Sequence, residues 1–298
     1  MTKARAATQS DIARAAGVSR SLVSLALSGS PRVAADTRRR IREAAASLGY
    51  RVNVSASSLA RRSSTIIGLV LPNLRNAFFE QVAACLGRAA ARRGLTLFVT
   101  VGSDQPEVLH RAIESLLGVR VAGIVLVSPW LPREDLLAIG EEAPACVIGR
   151  RSPGGRVDSV RVDEVAAARL VVEHLAALSM RTICYIGPRM TDEASRHDRE
   201  RALARAAGEA GTDGALVSYD NTYLALREEF SLTSVDQPED LLGERAVDLV
   251  CRRAGLAPDD GPAAGAGARS AVLEPELIVR ASSLGRQRPP HPAGSRPG

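Results

Sequence analysis

Residues 8–27, TQSDIARAAGVSRSLVSLAL, restrict the local fold more tightly than any other stretch of the chain. The Thr8 hydroxyl can cap a first helix, and Asp11, three positions on, can answer it in a capping box. That helix runs to about Ala16. Gly17 stands where the chain must turn sharply, since a glycine takes positive φ without a Cβ penalty. Ser19 then caps a second helix. Ile12, Ala13 and Ala16, with Val18, Val23 and Leu27 after the turn, are small or branched apolar residues that let two short helices cross closely. Arg20, Ser21, Ser24 and Leu25 are left facing outward.

Two short helices crossed in this way form a helix-turn-helix, whose second helix presents its early residues to base edges in the DNA major groove. An arginine such as Arg20 can contact guanine in bidentate fashion, a serine such as Ser21 can pair with either partner type, and Leu25 can pack on a thymine methyl. A small helical bundle with an exposed arginine is the bland alternative. Charge favours the first reading. Residues 1–62 hold 12 Lys/Arg against 3 Asp/Glu, a local charge of +9, whereas the rest of the chain holds 27 against 30, or −3. A positive surplus confined to one small segment suits phosphate binding that weakens steeply with salt.

After Ser28-Gly29-Ser30-Pro31, residues 36–48 place Ile41, Ala44, Ala45 and Leu48 at helical spacing, with Arg38, Arg39, Arg40 and Arg42 on the other faces. Gly49 stops this third helix. Ala34, at its start, lacks the hydroxyl that would cap it, a loss of about 1 kcal/mol. Residues 53–62, NVSASSLARR, follow as a segment with little apolar surface, and a helix so short is marginal in water by itself.

The succession AGVSRSLVSLALSGSPRV, GYRVN and SSLARRSSTIIGLVLPN resembles the head, hinge and first core strand of the lactose-repressor (LacI/GalR) family of bacterial transcription regulators. The resemblance implies a DNA-facing set of Thr8, Ser19, Arg20, Ser21, Ser24, Leu25 and Arg32 in the head, with Asn53, Ala56 and Leu59 in the hinge. It implies a hinge that folds on DNA, with Leu59 wedged into the minor groove, where the cost of unstacking a base step is offset by the contacts of a bent duplex. A plain flexible linker is the other reading of 51–64. Val52 stands where the family usually has proline, which leaves the entry to the hinge less restrained.

From Thr65 the pattern changes to short apolar runs alternating with amphipathic helices, the signature of an α/β, doubly wound parallel sheet. Residues 66–71, 95–101, 123–127 and 145–148 read as buried strands, and 76–93, 107–117 and 133–139 as helices. A second lobe follows, with a strand at 160–162, a helix over 163–178 that lines up Ala168, Val171, Val172, Leu175 and Leu178, and a strand at 183–186. Such sheets bind ligands at the carboxyl ends of their strands.

The resemblance implies a core like that of periplasmic sugar-binding proteins, with a small molecule, sugar or similar, between two lobes. The positions matching the family's ligand contacts are Asn76 and Phe78, Asp163, Arg199 in SRHDRERA and Asp220 in SYDN, with Trp130 a weaker candidate. Phe78 can stack on a sugar face or belong to the core, and Arg199 can bind a ligand or simply sit in water. One departure stands out. Between 210 and 217 only Gly211-Thr212-Asp213-Gly214 intervenes, where the family has two further βα units, so a shortened and less stable second lobe is expected. SYDNTYLA, LTSVDQP and VLEPELIVRASS then resume the pattern.

The expected organisation is a head over 1–50, a hinge over 51–64, an effector-binding and dimerisation core over 65–285 and a disordered tail over 286–298. Within the core, lobe one spans about 65–158, lobe two 159–234, and lobe one is rejoined from 235. The Gly/Ala/Pro-rich 257–269 reads as a loop. Cys85, Cys146, Cys184 and Cys251 lack metal-ligand spacing and read as reduced, buried thiols. No apolar run reaches the ~20 residues of a membrane span, and the N-terminus lacks a signal-peptide core, so a cytoplasmic protein is expected. No cofactor is expected. The sequence has no phosphate loop or nucleophile elbow, and His110, His174, His197 and His291 have no evident partners, which disfavours an enzyme. The expected protein is a transcriptional regulator, a repressor, that binds a palindromic double-stranded operator as a homodimer, its interface near 76–93. A small-molecule binding protein that has lost DNA binding, and an effector-blind or decayed regulator, stand as alternatives.

Overall fold

A computed structural model describes residues 7–27, 30–50, 64–103, 105–180, 215–256 and 267–284. The chain divides into two compact units, residues 1–62 and 63–298.

The first unit is three helices: α1 (Gln9–Ala16), α2 (Arg20–Leu27) and α3 (Ala35–Ser47). The capping box forms as the spacing predicts: the Thr8 N–H donates to Asp11 Oδ2 at 2.9 Å and the Asp11 N–H to Thr8 Oγ1 at 3.4 Å. Gly17 takes φ +64°, and its position at the end of α1 lets the chain reverse into α2. Ile12, Ala13, Val23, Ala26, Val33, Ile41 and Ala45 form the buried core. Ala26 and Val33 complete it from positions that the sequence pattern alone does not single out. Leu48, expected on the buried face of α3, is instead 40% exposed, because α3 ends at Ser47 and Gly49 (φ +60°) turns the chain before another apolar row can pack. Arg38 also departs from expectation. Its guanidinium folds back to donate to the carbonyls of Ser30 (2.6 Å) and Val33 (3.1 Å), and that of Arg40 reaches the Ala16 carbonyl at 3.1 Å.

In the second unit, β1 (Ile66–Leu71), β2 (Thr96–Val101), β3 (Gly123–Val127), β4 (Ala145–Ile148), β5 (Val157–Val162) and β8 (Ser270–Leu273) form one parallel sheet in the order β2-β1-β3-β4-β5-β8. β1, β3 and β4 are buried throughout, as continuous apolar runs must be when helices cover both faces. On one face Ile67, Leu69 and Val125 pack with Val82 and Leu86 of α4 (Ala77–Arg92) and Leu242 and Val247 of α9 (Glu239–Arg253). On the other, Val70, Ile124 and Leu126 meet Leu109, Ile113 and Leu116 of α5 (Pro106–Gly118) and Leu136 of α6 (Arg133–Glu142).

Two strand expectations are corrected here. β2 is an edge strand, not a buried one: Phe98, Val99 and Val101 are exposed, since β1 pairs with only one of its sides. The strand expected to open the second lobe at 160 begins at Val157 and lies inside the first sheet, between β4 and β8, so the chain leaves this lobe at Asp163.

The second lobe, among the described residues, is α7 (Glu164–Ala177), β6 (Val217–Tyr219), the single turn α8 (Tyr223–Leu226), β7 (Thr233–Asp236), β9 (Glu276–Ile278) and α10 (Ala281–Leu284). β6 pairs with β7 in parallel, and β9 joins β7 antiparallel. The return to lobe one expected from 235 therefore begins with α9, and β9 and α10 come back to the second sheet. The expected strand at 183–186, the tetrapeptide at 211–214 and Cys184 lie outside the described residues. Along α7 Ala167, Ala168 and Leu175 are buried, while Val171, Val172 and Leu178 are half-buried. No helix among the described residues is long and apolar enough to cross a membrane.

Candidate functional site

The head places its candidate residues on one exposed face. Val23 and Ala26 anchor α2 in the core, and rotation by 100° per residue then turns Arg20, Ser21, Ser24 and Leu25 outward. Ser19 Oγ accepts the Leu22 N–H at 3.2 Å, which caps α2 and fixes where its first turn starts. The Ser19 and Ser21 hydroxyls lie 3.0 Å apart. Leu25 is 41% exposed, a large apolar side chain that the small core leaves uncovered. Arg32 is exposed after the turn, and Thr8, half-buried, serves the cap of α1. Asn53, Ala56 and Leu59 lie outside the described residues. The face can make charge-assisted, hydroxyl and apolar contacts with a groove, the mixture that base readout uses.

In the core unit the expected contacts fare unequally. Asn76 is exposed and caps α4, its Oδ1 accepting the Phe78 N–H at 3.0 Å. Phe78, considered for stacking on a ligand, is only 6% exposed and belongs to the core between β1, α4 and α9, where burying an aromatic ring is the larger gain. Asp163 caps α7 by accepting from Val165 N (3.0 Å) and Ala166 N (3.1 Å). Arg199 lies outside the described residues. The neighbours of Asp220 and Asp163 are joined, Tyr219 Oη donating to Glu164 Oε2 at 2.7 Å.

Around Asp220 the structure assembles groups that the sequence reading did not select. Asp220 and Asn221 carry φ of +78° and +42° in succession, a conformation that L residues adopt at a cost of about 1–3 kcal/mol each and that concentrates at functional loops. Asp220 Oδ1 accepts from Gln237 Nε2 at 2.5 Å, Asp236 Oδ1 from Asn221 Nδ2 at 2.6 Å, and Arg280 Nη2 donates to Asn221 Oδ1 at 2.8 Å. Burial, reinforced by Asp236, Asp220 and Asp240, pushes the Glu239 carboxyl up to about 7 against the pull of its backbone hydrogen bond. The signal for this cluster was present in SYDN, VDQP and IVR, each a polar residue at the end of an apolar run. On the first lobe a shallow depression at the ends of β1 and β3 is lined by apolar side chains, Ser103, Ser128 and the half-buried Trp130.

Two histidines have partners that the sequence did not reveal: His110 Nε2 lies 3.2 Å from Asp135 Oδ2, and His174 Nε2 lies 2.7 Å from the buried Ser283 hydroxyl. Cys85, Cys146 and Cys251 are buried, unlinked thiols. Burial, with Asp240 beside it, pushes the Cys85 thiol up to about 11, and burial raises the other two.

Residues 8–53 match the model of bacterial regulatory proteins of the lacI family. Residues 64–228 match that of periplasmic binding proteins and the sugar binding domain of the LacI family. The chain belongs to this family. It is 35% identical over 189 residues to the maltose regulon regulatory protein MalI of Escherichia coli (strain K12), covering 63% of this chain and 55% of that protein. It is 25% identical over 217 residues to catabolite control protein A of Priestia megaterium, covering 72% and 65%. The chain thus spans little more than half to two thirds of these relatives' length. The fold is similar to that of the lac repressor dimer bound to operator and the anti-inducer ONPF, with a TM-score of 0.75 and 23% identity over 94% of this chain and 100% of that one.

Proposed function

We propose that this protein is a transcriptional regulator, a repressor, that binds a two-fold symmetric operator as a homodimer and responds to a sugar-like small molecule. The observation that carries the reading is the row Ser19, Arg20, Ser21, Ser24 and Leu25, exposed along one side of a helix whose other side is buried, in a segment of charge +9. Thr8 and Arg32 add backbone contacts at its edges, and Asn53, Ala56 and Leu59 take the minor groove. One head offers few base contacts, so two heads on half-sites give the specificity that one lacks. The interface is assigned to the first lobe around 76–93, and the cytoplasm, where the operator is, to its location.

For the effector, the polar groups come from Asp163, Arg199 and Asp220 and the apolar wall from the first-lobe depression with Trp130, with Asn76 at the rim. Phe78 takes no part in it. Nothing in this reading calls on catalysis or a cofactor.

Fluorescence-anisotropy titration against the chain's own upstream region, at two salt concentrations, tests the head. Saturable binding should weaken steeply with salt, and Arg20→Ala with Ser21→Ala should relax sequence preference by about 1–3 kcal/mol per lost bidentate contact. Equal binding of wild type and variant to the upstream region and to random DNA would refute sequence reading. Thermal shift against sugars, nucleosides and organic acids tests the effector site, and the absence of saturable stabilisation by any of them would leave an effector-blind regulator.

A further inference from the structure

Among the described residues, three connections carry the chain between the two sheets: Asp163 between β5 and α7, Glu274 and Pro275 between β8 and β9, and Gln237 and Pro238 between β7 and α9. The last is surrounded by carboxylates. Asp220 follows β6, Asp236 ends β7, and Glu239 and Asp240 open α9. Three of them accept side-chain hydrogen bonds: Asp220 takes Gln237 Nε2, Asp236 takes Asn221 Nδ2, and Asp240 takes Arg88 Nη2 at 2.7 Å from α4.

Glu239 differs, for its Oε1 is buried and accepts no hydrogen bond. The cations bonded into this cluster are committed to other groups. Arg280 donates Nη1 to the Leu232 carbonyl at 2.6 Å and Nη2 to Asn221, while Arg88 reaches Asp240 and Cys85 Sγ. On α4, the helix against which α9 packs, Gln81 Oε1 is likewise buried without a donor. An ionised Glu239 would add a charge with no counterion to a half-buried acidic cluster, and this is the arrangement that favours the neutral acid.

We propose that the passage from β7 to α9 is a protonation-controlled hinge. With its proton, Glu239 lets the junction close over Asp220 and Asp236; when the proton leaves to solvent, repulsion among the carboxylates loosens the junction and the second sheet's hold on α9. The inference concerns the hinge itself and holds whether or not a small molecule binds at Asp220.

The sign follows from linkage. The folded carboxyl, at about 7, lies above its ordinary value of 4.5. The stabilisation is therefore full below the ordinary value, drains away as pH rises between the two, and is absent above about 7.

The test uses the full chain, Glu239→Gln and Asp236→Asn. Relative to Glu239→Gln, wild type should lose roughly 2–6 °C of Tm between about pH 5 and about pH 7 and lose nothing further above that. Hydrogen exchange, corrected for intrinsic rates, should quicken several-fold in peptides covering 216–239 between about pH 5 and about pH 7 in wild type and not in Glu239→Gln. Asp236→Asn, which removes one repelling charge, should move the midpoint of that change to lower pH. If Glu239→Gln follows the wild-type pH dependence, if wild type shows none, or if Asp236→Asn leaves the midpoint in place, the hinge is not controlled by this proton. Should Glu239→Gln fold poorly, the comparison of wild type with Asp236→Asn still decides the matter.

Discussion

Replacing Arg253 by methionine should do more damage than any other single charge removal in the core. Arg253 is the last residue of α9, and Asp158 lies in β5, between β4 and β8; their side chains are 5% and 1% exposed. Arg253 Nε and Nη2 donate to Asp158 Oδ2 and Oδ1 at 3.0 and 2.5 Å, Arg269 N donates to Oδ1 at 2.8 Å, and Nη2 also reaches the Gly267 carbonyl at 3.2 Å. This one carboxylate therefore ties α9 and the approach to β8 onto the sheet.

Arg253→Met leaves the buried carboxylate with only the Arg269 N–H of those donors. Removing one partner of a buried pair costs about 3–5 kcal/mol, because the other charge stays desolvated. A half-exposed pair is worth about 0–1 kcal/mol. Arg252, the adjacent residue, supplies the comparison, since it pairs with Asp248 at 2.7 Å with side chains 34% and 24% exposed. Urea unfolding followed by circular dichroism, at constant m, should give Arg253→Met a loss several times that of Arg252→Met. The double variant Asp158→Asn, Arg253→Met should recover much of the loss, since it leaves no buried charge. Equal costs for the two single variants, or a double variant no better than Arg253→Met, would refute the reasoning.

Gly243 of α9 sits against α4 so closely that an added Cβ would lie 2.9 Å from the Cys85 carbonyl carbon and 3.0 Å from Leu86 N. Gly243→Ala must push the helices apart, straining the Arg88–Asp240, Arg92–Glu244 and Arg93–Asp248 pairs, and should cost about 1–3 kcal/mol by thermal melting. Gly118→Ala, where nothing lies within 4 Å, should be neutral or stabilising by the same measurement. In the head, Ala34→Ser supplies the hydroxyl that α3 lacks and should raise the stability of a head fragment of residues 1–62 by about 0.5–1 kcal/mol; no change would mean that water already satisfies the first N–H groups of α3 as well as a hydroxyl would. Thr8→Ala, which removes a cap that is in place, should lower it by about 0.5–2 kcal/mol.

How far the fold was legible in the sequence depended on the distance over which each decision is made. The capping box at Thr8 and Asp11, the turn at Gly17, the cap at Ser19 and the strands at Ile66–Leu71 and Gly123–Val127 are set by groups within a few residues of one another, and the sequence alone placed them. The outward row Arg20, Ser21, Ser24 and Leu25 was equally legible, because two buried anchors on a short helix fix the rotation of the rest. What needed the tertiary structure was every question of what lies opposite. Phe78 entered the core because α9, more than 150 residues later in the chain, covers it. β2 became an edge because no later strand among the described residues pairs with its outer side, and β5 joined the first sheet because β8 pairs with it. Asp220 was singled out in the sequence by the resemblance alone, and Asn221, Asp236, Glu239 and Arg280, though most lie at the end of an apolar run, were not singled out as a group. Only the pairing of β6, β7 and β9 gathers them, and desolvation, which depends on the packing of all these segments together, shifts the carboxyl of Glu239.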